Sequence, residues 1–254
     1  MFTEIMSLDF LWASYFGITK SEVKADNNYR DAAIACANRA YLDLCRRISF
    51  KYSSSHIEKM SINSRKEYIS KKARFRSDAV SFIVDSILAL EGDYDSFHKA
   101  ICCGIIALSN GESVAHPEHR EVFNEALNYG LAQKWLNMTI KNMLIMGLWN
   151  DLFDNYTSII HIPLDSYIFS AAGGKEGEII FRDERARHLG LKQEDFFDTY
   201  TWSKIPNEEK YIENYYQYQR MIREKTENRP VEWEHLAWIE QAKKEKMKSD
   251  KLIP

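Results

Sequence analysis

Apolar residues recur at intervals of three and four over residues 27–48, which predicts a long helix. Asp26 is a fitting N-cap for this helix. The same period predicts helices over 77–90, 95–108, 207–223 and 231–246. The apolar face of the first helix comprises Ala32, Ala33, Cys36, Ala40, Leu44 and Ile48. The pattern therefore indicates a chain built mainly from amphipathic helices.

Two further helices are predicted over 118–129 and 131–149, with Gly130 between them. The β-branched stretch 156–163 is a candidate extended segment, and 179–181 is a candidate short strand after a glycine-rich loop at 173–177. With only 10 Gly and 5 Pro in 254 residues, the chain has few of the turn signals that a many-stranded sheet requires. We therefore expect an all-α fold that forms a single helical domain over 1–254.

The formal net charge of −3 means that any binding of nucleic acid depends on a local basic surface. Such a surface is offered by the segment 65–76, where six cations surround Glu67, while acids concentrate at 118–125 and 208–213. The cations are Arg65, Lys66, Lys71, Lys72, Arg74 and Arg76. A solvated helix face and a phosphate-tracking patch explain this segment equally well.

Neither a metal nor a cofactor is predicted. Cys36, Cys45, Cys102 and Cys103 lie in apolar helical stretches without the spacing of metal ligands, so they are interpreted as reduced core residues. His116, His119 and His161 do not combine with acids at the spacing of a dedicated metal site, which favours surface or structural roles. No apolar run reaches the length of a membrane span and no basic leader precedes the first helix, so a cytoplasmic protein is expected.

The segment from Leu127 to Lys134 is the first candidate for chemistry. A helix that ends at Gly130 in a left-handed conformation, followed at once by another helix, forms a tight hairpin. The backbone N–H groups of Gly130, Leu131, Ala132 and Gln133 would then be open to a DNA phosphate. Lys134 would lie on the first turn of the second helix, beside the bound strand.

The second candidate is Asp165, which follows Pro163 at a predicted helix start that continues through Phe169. An aspartate at such a position is commonly an N-cap. Paired with Lys134, however, it completes the apparatus for displacing a base from a deoxyribose. A neutral amine is the nucleophile, and a carboxylate stabilises positive charge on the sugar.

Gly130-Leu131-Ala132-Gln133-Lys134 resembles the hairpin of the helix-hairpin-helix DNA glycosylases, including the lysine of their lyase members. Ile162-Pro163-Leu164-Asp165 resembles the catalytic-aspartate motif of the same superfamily. The long interval between Lys134 and Asp165 is similar to that of the archaeal 8-oxoguanine glycosylase branch. The resemblance implies a fold of two helical subdomains with the active site between them, the hairpin subdomain covering about 77–165.

The C-terminal helix adds a third match to that branch. Glu234 and Trp238, one turn apart, are similar to the acid and tryptophan that hold the flipped purine, an acid accepting from base N–H groups while an indole stacks on the base. Met138 stands where the branch has a stacking aromatic, and Ala132 stands where family hairpins often have a second glycine. The first departure leaves the identity of the base open.

The resemblance implies a monomeric bifunctional DNA glycosylase and AP lyase that excises a modified base, such as an oxidised purine, from double-stranded DNA. Lys134 and Asp165 would be catalytic, and Glu234, Trp238 and Met138 would bind the base. Two alternatives remain: a non-catalytic helical DNA-binding or interaction protein that uses the hairpin as a phosphate clamp, and a helical protein whose matches arise by chance.

Overall fold

The computed structural model describes residues 3–26, 29–112, 116–173 and 184–250. Within these ranges no residue belongs to a β-strand, and one isolated antiparallel bridge joins Phe50 to Phe123. The expectation of an all-α fold is confirmed. The α-helices are α1 (Glu4–Phe16), α2 (Lys20–Asp26), α3 (Tyr29–Leu44), α4 (Ser54–Lys59), α5 (Ile62–Leu88), α6 (Tyr94–Ser109), α7 (Tyr129–Met146), α8 (Asn150–Phe153), α9 (Ser166–Gly173), α10 (Glu194–Phe197), α11 (Glu209–Lys225) and α12 (Pro230–Asp250). Short 3₁₀ helices cover Cys45–Arg47, Pro117–Val122, Asp154–Tyr156, Glu184–Ala186 and Trp202–Lys204.

The chain divides into two compact units, Met1–Leu152 and Phe153–Pro254. The first unit thus includes the N-terminal helices together with α7, so this division differs from the predicted hairpin subdomain of about 77–165. No helix among the described residues is long and apolar enough to cross a membrane. The predicted strand at 179–181, and Gly174 and Gly177 of the glycine-rich loop, lie outside the described residues.

Helices α3 and α7 pack against each other in the core of the first unit. The Trp135 indole Nε1–H donates to the Ala37 carbonyl oxygen over 3.0 Å, and the Asn142 amide donates to the Cys36 carbonyl oxygen over 3.2 Å. Because the later residue of α7 pairs with the earlier residue of α3, the two helices run antiparallel. The predicted apolar face of α3 is buried throughout, from Ala32 to Ile48.

The boundary predicted at Asp26 is wrong, because Asp26 is the last residue of α2, and α3 is described from Tyr29. The cysteine prediction holds for Cys36 and Cys102, which are buried, whereas Cys103 is exposed.

Helix α5 begins at Ile62, well before the predicted start at 77, because Ser61 caps it by accepting from the Ser64 N–H over 3.2 Å. The basic segment is therefore part of α5. Lys71 pairs with Glu121 at 2.6 Å, and Arg74 pairs with Glu118 at 3.0 Å. The acids of the segment 118–125 thus neutralise part of the basic surface, which leaves less of it for phosphate.

The predicted helix over 118–129 and the break at Gly130 are wrong, whereas the helix predicted over 131–149 corresponds to α7. Residues 117–122 form a 3₁₀ helix, and irregular chain leads from there to Asn128, which caps α7. Gly130 lies inside the first turn of α7 and is not among the described glycines with positive φ. The left-handed glycine that precedes this segment is Gly111, with φ +70°, after the end of α6.

The second unit is built around an aromatic core. Helix α12 packs on α9, and α11 packs on α10. Tyr215 and Tyr218 of α11 are fully buried and Tyr216 is nearly so, as their helical spacing predicts. The Phe169 and Tyr218 rings meet edge to face with centroids 5.5 Å apart, which joins α9 to α11.

Candidate functional site

Lys134 lies in the second turn of α7 and is 6% exposed. The predicted position in the first turn is wrong, because α7 begins at Tyr129 instead of Leu131. Trp135, the next residue, is fully buried between Ala37 and the Tyr41 ring, whose centroid lies 5.0 Å from that of the indole. The packing of α3 against α7 therefore keeps this lysine out of water, and lysines are rarely so buried without a partner charge or a function.

The carboxylate of Asp43 on α3 is close enough to Lys134 for the two charges to interact. Burial raises the pKa of Asp43 above its ordinary value, while Arg39 first and then Lys134 and Arg46 act to lower it. Arg39 holds the Asp43 carboxylate at 2.8 Å, one helical turn away, and its guanidinium lies 4.1 Å from the centroid of the Tyr15 ring. Lys134 therefore lies within electrostatic range of the half-buried ion pair between Arg39 and Asp43.

The first turn of α7 is buried, including all four residues predicted to bind phosphate: Gly130, Leu131, Ala132 and Gln133. The N–H of Leu131 donates to the side-chain oxygen of its cap, Asn128, over 3.0 Å. The Gln133 side chain donates to the Gly130 carbonyl oxygen and accepts from Asn137, whose own carbonyl oxygen contacts His98 at 2.9 Å. Phosphate binding here stays a prediction, but part of the required backbone is already engaged.

Met138 lies one turn after Lys134 on the same helix and is half-buried. Because residues four apart share a helix face, Met138 and Lys134 lie on the same face of α7. This position is compatible with the predicted contact to a base.

Asp165 is the N-cap of α9, as predicted. Its Oδ1 accepts from the N–H groups of Tyr167 and Ile168, each over 3.0 Å. The side chain is half-buried. These two bonds give the carboxylate a defined orientation at the helix start, which favours a negative charge.

The segment that leads to Asp165 is held by α11 and not by a β-ladder, so the predicted extended segment is not a strand. The Gln219 side chain accepts from the Ile162 N–H over 3.2 Å and donates to the Ile162 carbonyl oxygen over 2.9 Å. The Arg223 guanidinium donates to the Ile159 carbonyl oxygen over 3.1 Å, and the buried His161 meets the Tyr215 hydroxyl at 3.2 Å. His161 is therefore structural, as expected.

Glu234 and Trp238 occupy successive turns of α12 but differ in exposure. Glu234 is 2% exposed, whereas Trp238 is 39% exposed. The Trp238 ring meets Tyr167 edge to face with centroids 5.6 Å apart. Tyr167 in turn donates its backbone N–H to Asp165. The second unit thus brings an oriented carboxylate, an accessible aromatic pair and a buried acid onto the paired helices α9 and α12.

A basic pocket of ≈ 200 Å³ lies at the start of α12 in the same unit. Its charged lining consists of Arg185, Arg187, Lys225 and Arg229 together with Glu227 and Glu232. Arg229 lies 3.5 Å from Glu227 and 3.7 Å from Glu232, so the two acids neutralise part of this charge. The remaining excess of cations makes the pocket suitable for an anionic group.

The chain matches no protein-family model, and neither a curated protein nor a solved structure is detectably similar to it. The site residues that sequence reasoning missed are Asp43, Arg39, Tyr167 and Gln219. Arg39 and Asp43 have the i,i+4 spacing of an ion pair, which was a usable signal. Gln219 stands out as an amide within an aromatic run, but its partner is remote in sequence.

Proposed function

We propose that the protein is a DNA glycosylase with AP lyase activity. The observation that carries the proposal is the burial of Lys134 on α7, with Met138 one turn further along the same face. A lysine withdrawn from water is suited to act as an amine nucleophile toward a sugar. Asp165, oriented by two backbone N–H groups, is suited to stabilise a cationic sugar.

The reaction begins with base flipping. The Lys134 amine, once it has lost its proton, attacks C1′ of the deoxyribose, and the base leaves with the electrons of the glycosidic bond. Opening of the sugar ring yields a Schiff base, and β-elimination then breaks the 3′ C–O bond. In this proposal Lys134 is the nucleophile, Asp165 stabilises the cationic sugar, and Trp238 and Glu234 contact the flipped base.

Borohydride trapping on duplexes that carry an abasic site or an oxidised purine tests this proposal. The wild-type chain should become covalently joined to DNA, and Lys134→Gln should not. Lys141→Gln is the matched control, because Lys141 is half-buried on the same helix. Melting temperatures of all three proteins check that each variant is folded. Equal trapping of wild type and Lys134→Gln, or no trapping of wild type on any duplex, would overturn the proposal.

The basic pocket beside α12 favours a second candidate, a DNA-binding protein without chemistry, because cations that contact phosphate serve either function. This candidate predicts salt-dependent affinity for duplex DNA together with no trapping. Binding and trapping measured on the same duplex therefore separate the two functions.

A further inference from the structure

Three potential metal ligands converge in the first unit, where the 3₁₀ helix Pro117–Val122 lies against α5. His119 Nε2 is 2.9 Å from the Asp78 Oδ2 atom, and His116 Nε2 is 3.6 Å from the same oxygen. The ligand atoms of all three residues lie within 4.8 Å of one another. The two histidines are three residues apart, but their acid comes from α5 and is remote in sequence. Sequence spacing therefore gave no sign of this acid, which the fold brings to the two histidines.

The arrangement is supported on both sides by fixed contacts. The His119 ring is fully buried and meets Phe75 edge to face, with centroids 5.5 Å apart. The Tyr68 hydroxyl donates to the Val122 carbonyl oxygen over 2.9 Å, which ties the end of the 3₁₀ helix to α5. The packing of the 3₁₀ helix against α5 thus holds Asp78, His116 and His119 close together.

Glu118 indicates which nitrogen of His116 carries a proton. Glu118 forms an ion pair with the Arg74 guanidinium at 3.0 Å and therefore offers only acceptor oxygens. Its Oε1 lies 3.3 Å from His116 Nδ1 and can only accept there. With the proton on Nδ1, the lone pair of Nε2 faces the oxygen of Asp78. Two facing acceptors repel each other unless a proton or a cation lies between them.

We propose that Asp78, His116 and His119 bind a divalent transition-metal ion of the Zn²⁺ type, with Glu118 as the carboxylate that orients His116. Two imidazoles and a carboxylate are ligands that Zn²⁺ accepts, at about 2.0–2.2 Å each. Donors at that distance in a tetrahedral site lie about 3.3 Å apart, and the two measured separations bracket this value. A ligating histidine whose other nitrogen donates to a carboxylate is a common outer-shell arrangement.

The ion would join α5 to the connection between α6 and α7. Because Asp78 comes from one element and both histidines from another, binding should resist separation of the two. The site is independent of the proposed glycosylase activity, since none of its residues takes part in that reaction. Hard cations such as Mg²⁺ should compete weakly, because they prefer oxygen ligands.

The test uses the full chain, free of any histidine tag and treated with chelator. Calorimetric titration with ZnCl₂ should show a single tight site per chain, and Co²⁺ should give the visible absorption of a low-symmetry complex. Thermal melting should rise on addition of Zn²⁺ and should not respond to Mg²⁺. His116→Gln and Asp78→Asn should each weaken Zn²⁺ binding at least tenfold, on the scale typical of site disruption.

His116→Gln is the more informative variant, because His116 is partly exposed and its loss should leave the fold intact. His119→Gln tests the same site at a fully buried position. The control is His235→Gln on α12, an exposed histidine in the other unit that should not change Zn²⁺ affinity. If the wild type does not bind Zn²⁺, or if His116→Gln and Asp78→Asn bind it as the wild type does, the two histidines only contact neighbouring carboxylates and the proposal fails.

Discussion

The surroundings of Lys134 on α7 and of Asp165 at the start of α9 differ in what positions the polar group. Asp165 is oriented by its own helix, because the backbone N–H groups of Tyr167 and Ile168 donate to its carboxylate. Lys134 is placed by α3, a helix about ninety residues earlier, which covers α7 and brings Asp43 into range. One site is therefore local in sequence and the other depends on tertiary packing.

The difference has a consequence for substitutions. A carboxylate held by backbone N–H groups can be replaced by an amide of the same shape that keeps the cap, because Asn is as good an N-cap as Asp. A buried amine next to an ion pair cannot be changed without altering the electrostatics of its neighbours. Chemistry and folding are thus more easily separated at Asp165 than at Lys134.

The largest effect is expected for Asp165→Asn. Base release should fall by roughly 10²-fold or more, the scale for loss of one preorganised electrostatic group, while DNA affinity and melting temperature remain close to wild type. Single-turnover base release, measured beside thermal melting, checks this. The control is Asp195→Asn, which changes an exposed acid in the first turn of α10 in the same unit. A normal rate for Asp165→Asn would reduce the residue to a cap.

A smaller effect is expected for Trp238→Ala on α12, the helix that packs on α9. This variant extends the comparison of Lys134 and Asp165 to the proposed base-binding residues. Productive binding should weaken by roughly 1–3 kcal/mol through lost stacking on the base. Little stability should be lost, because the ring is 39% exposed.

Trp233, also on α12, provides the matched contrast, being 3% exposed. Trp233→Ala should cost about 3–5 kcal/mol of unfolding free energy, the scale for a buried aromatic. Base-release kinetics and denaturant unfolding on both variants check the pair. If Trp238→Ala melted as early as Trp233→Ala, Trp238 would belong to the core and leave the base-binding set.

The same contrast explains which features of the fold and of the candidate site could be predicted from the sequence. Apolar periodicity predicted the buried face of α3 correctly, and the Pro163-Leu164-Asp165 pattern predicted the cap of α9, because both depend on short-range geometry. The helix break at Gly130 was wrong. A glycine fits a helix as well as a turn, and Asn128 two residues earlier provides the actual cap.

Long-range partners could not be predicted. Three examples are the proximity of Asp43 to Lys134, the contacts of Asp78 with two histidines, and the hydrogen bonds of Gln219 with Ile162. Each could be predicted only by knowing which elements pack together. Without that packing, a polar residue on a helix is indistinguishable from a solvated one. Functional groups set by tertiary contacts were therefore the ones missed.

The smallest expected effect is a change in lyase rate when the ion pair near Lys134 is altered. The Asp43 carboxylate lies within electrostatic range of Lys134 and opposes the use of its amine as a neutral nucleophile, so Asp43→Asn should raise the lyase rate slightly.

Arg39→Gln should lower the rate slightly, because it removes a cation while keeping the Asp43 charge. Each change should be about 1.5- to 5-fold, since a partly exposed ion pair contributes about 0.2–1 kcal/mol and about 1.4 kcal/mol corresponds to a tenfold change in rate. The control is Asp85→Asn, which breaks the exposed pair that Asp85 forms with Arg30 of α3. Single-turnover lyase rates of the wild type and the three variants, measured under the same conditions, test this prediction. Opposite changes in the two variants, with none in the control, would show that α3 tunes the amine on α7. Parallel changes, or none, would mean that the Arg39–Asp43 pair stabilises the helix alone.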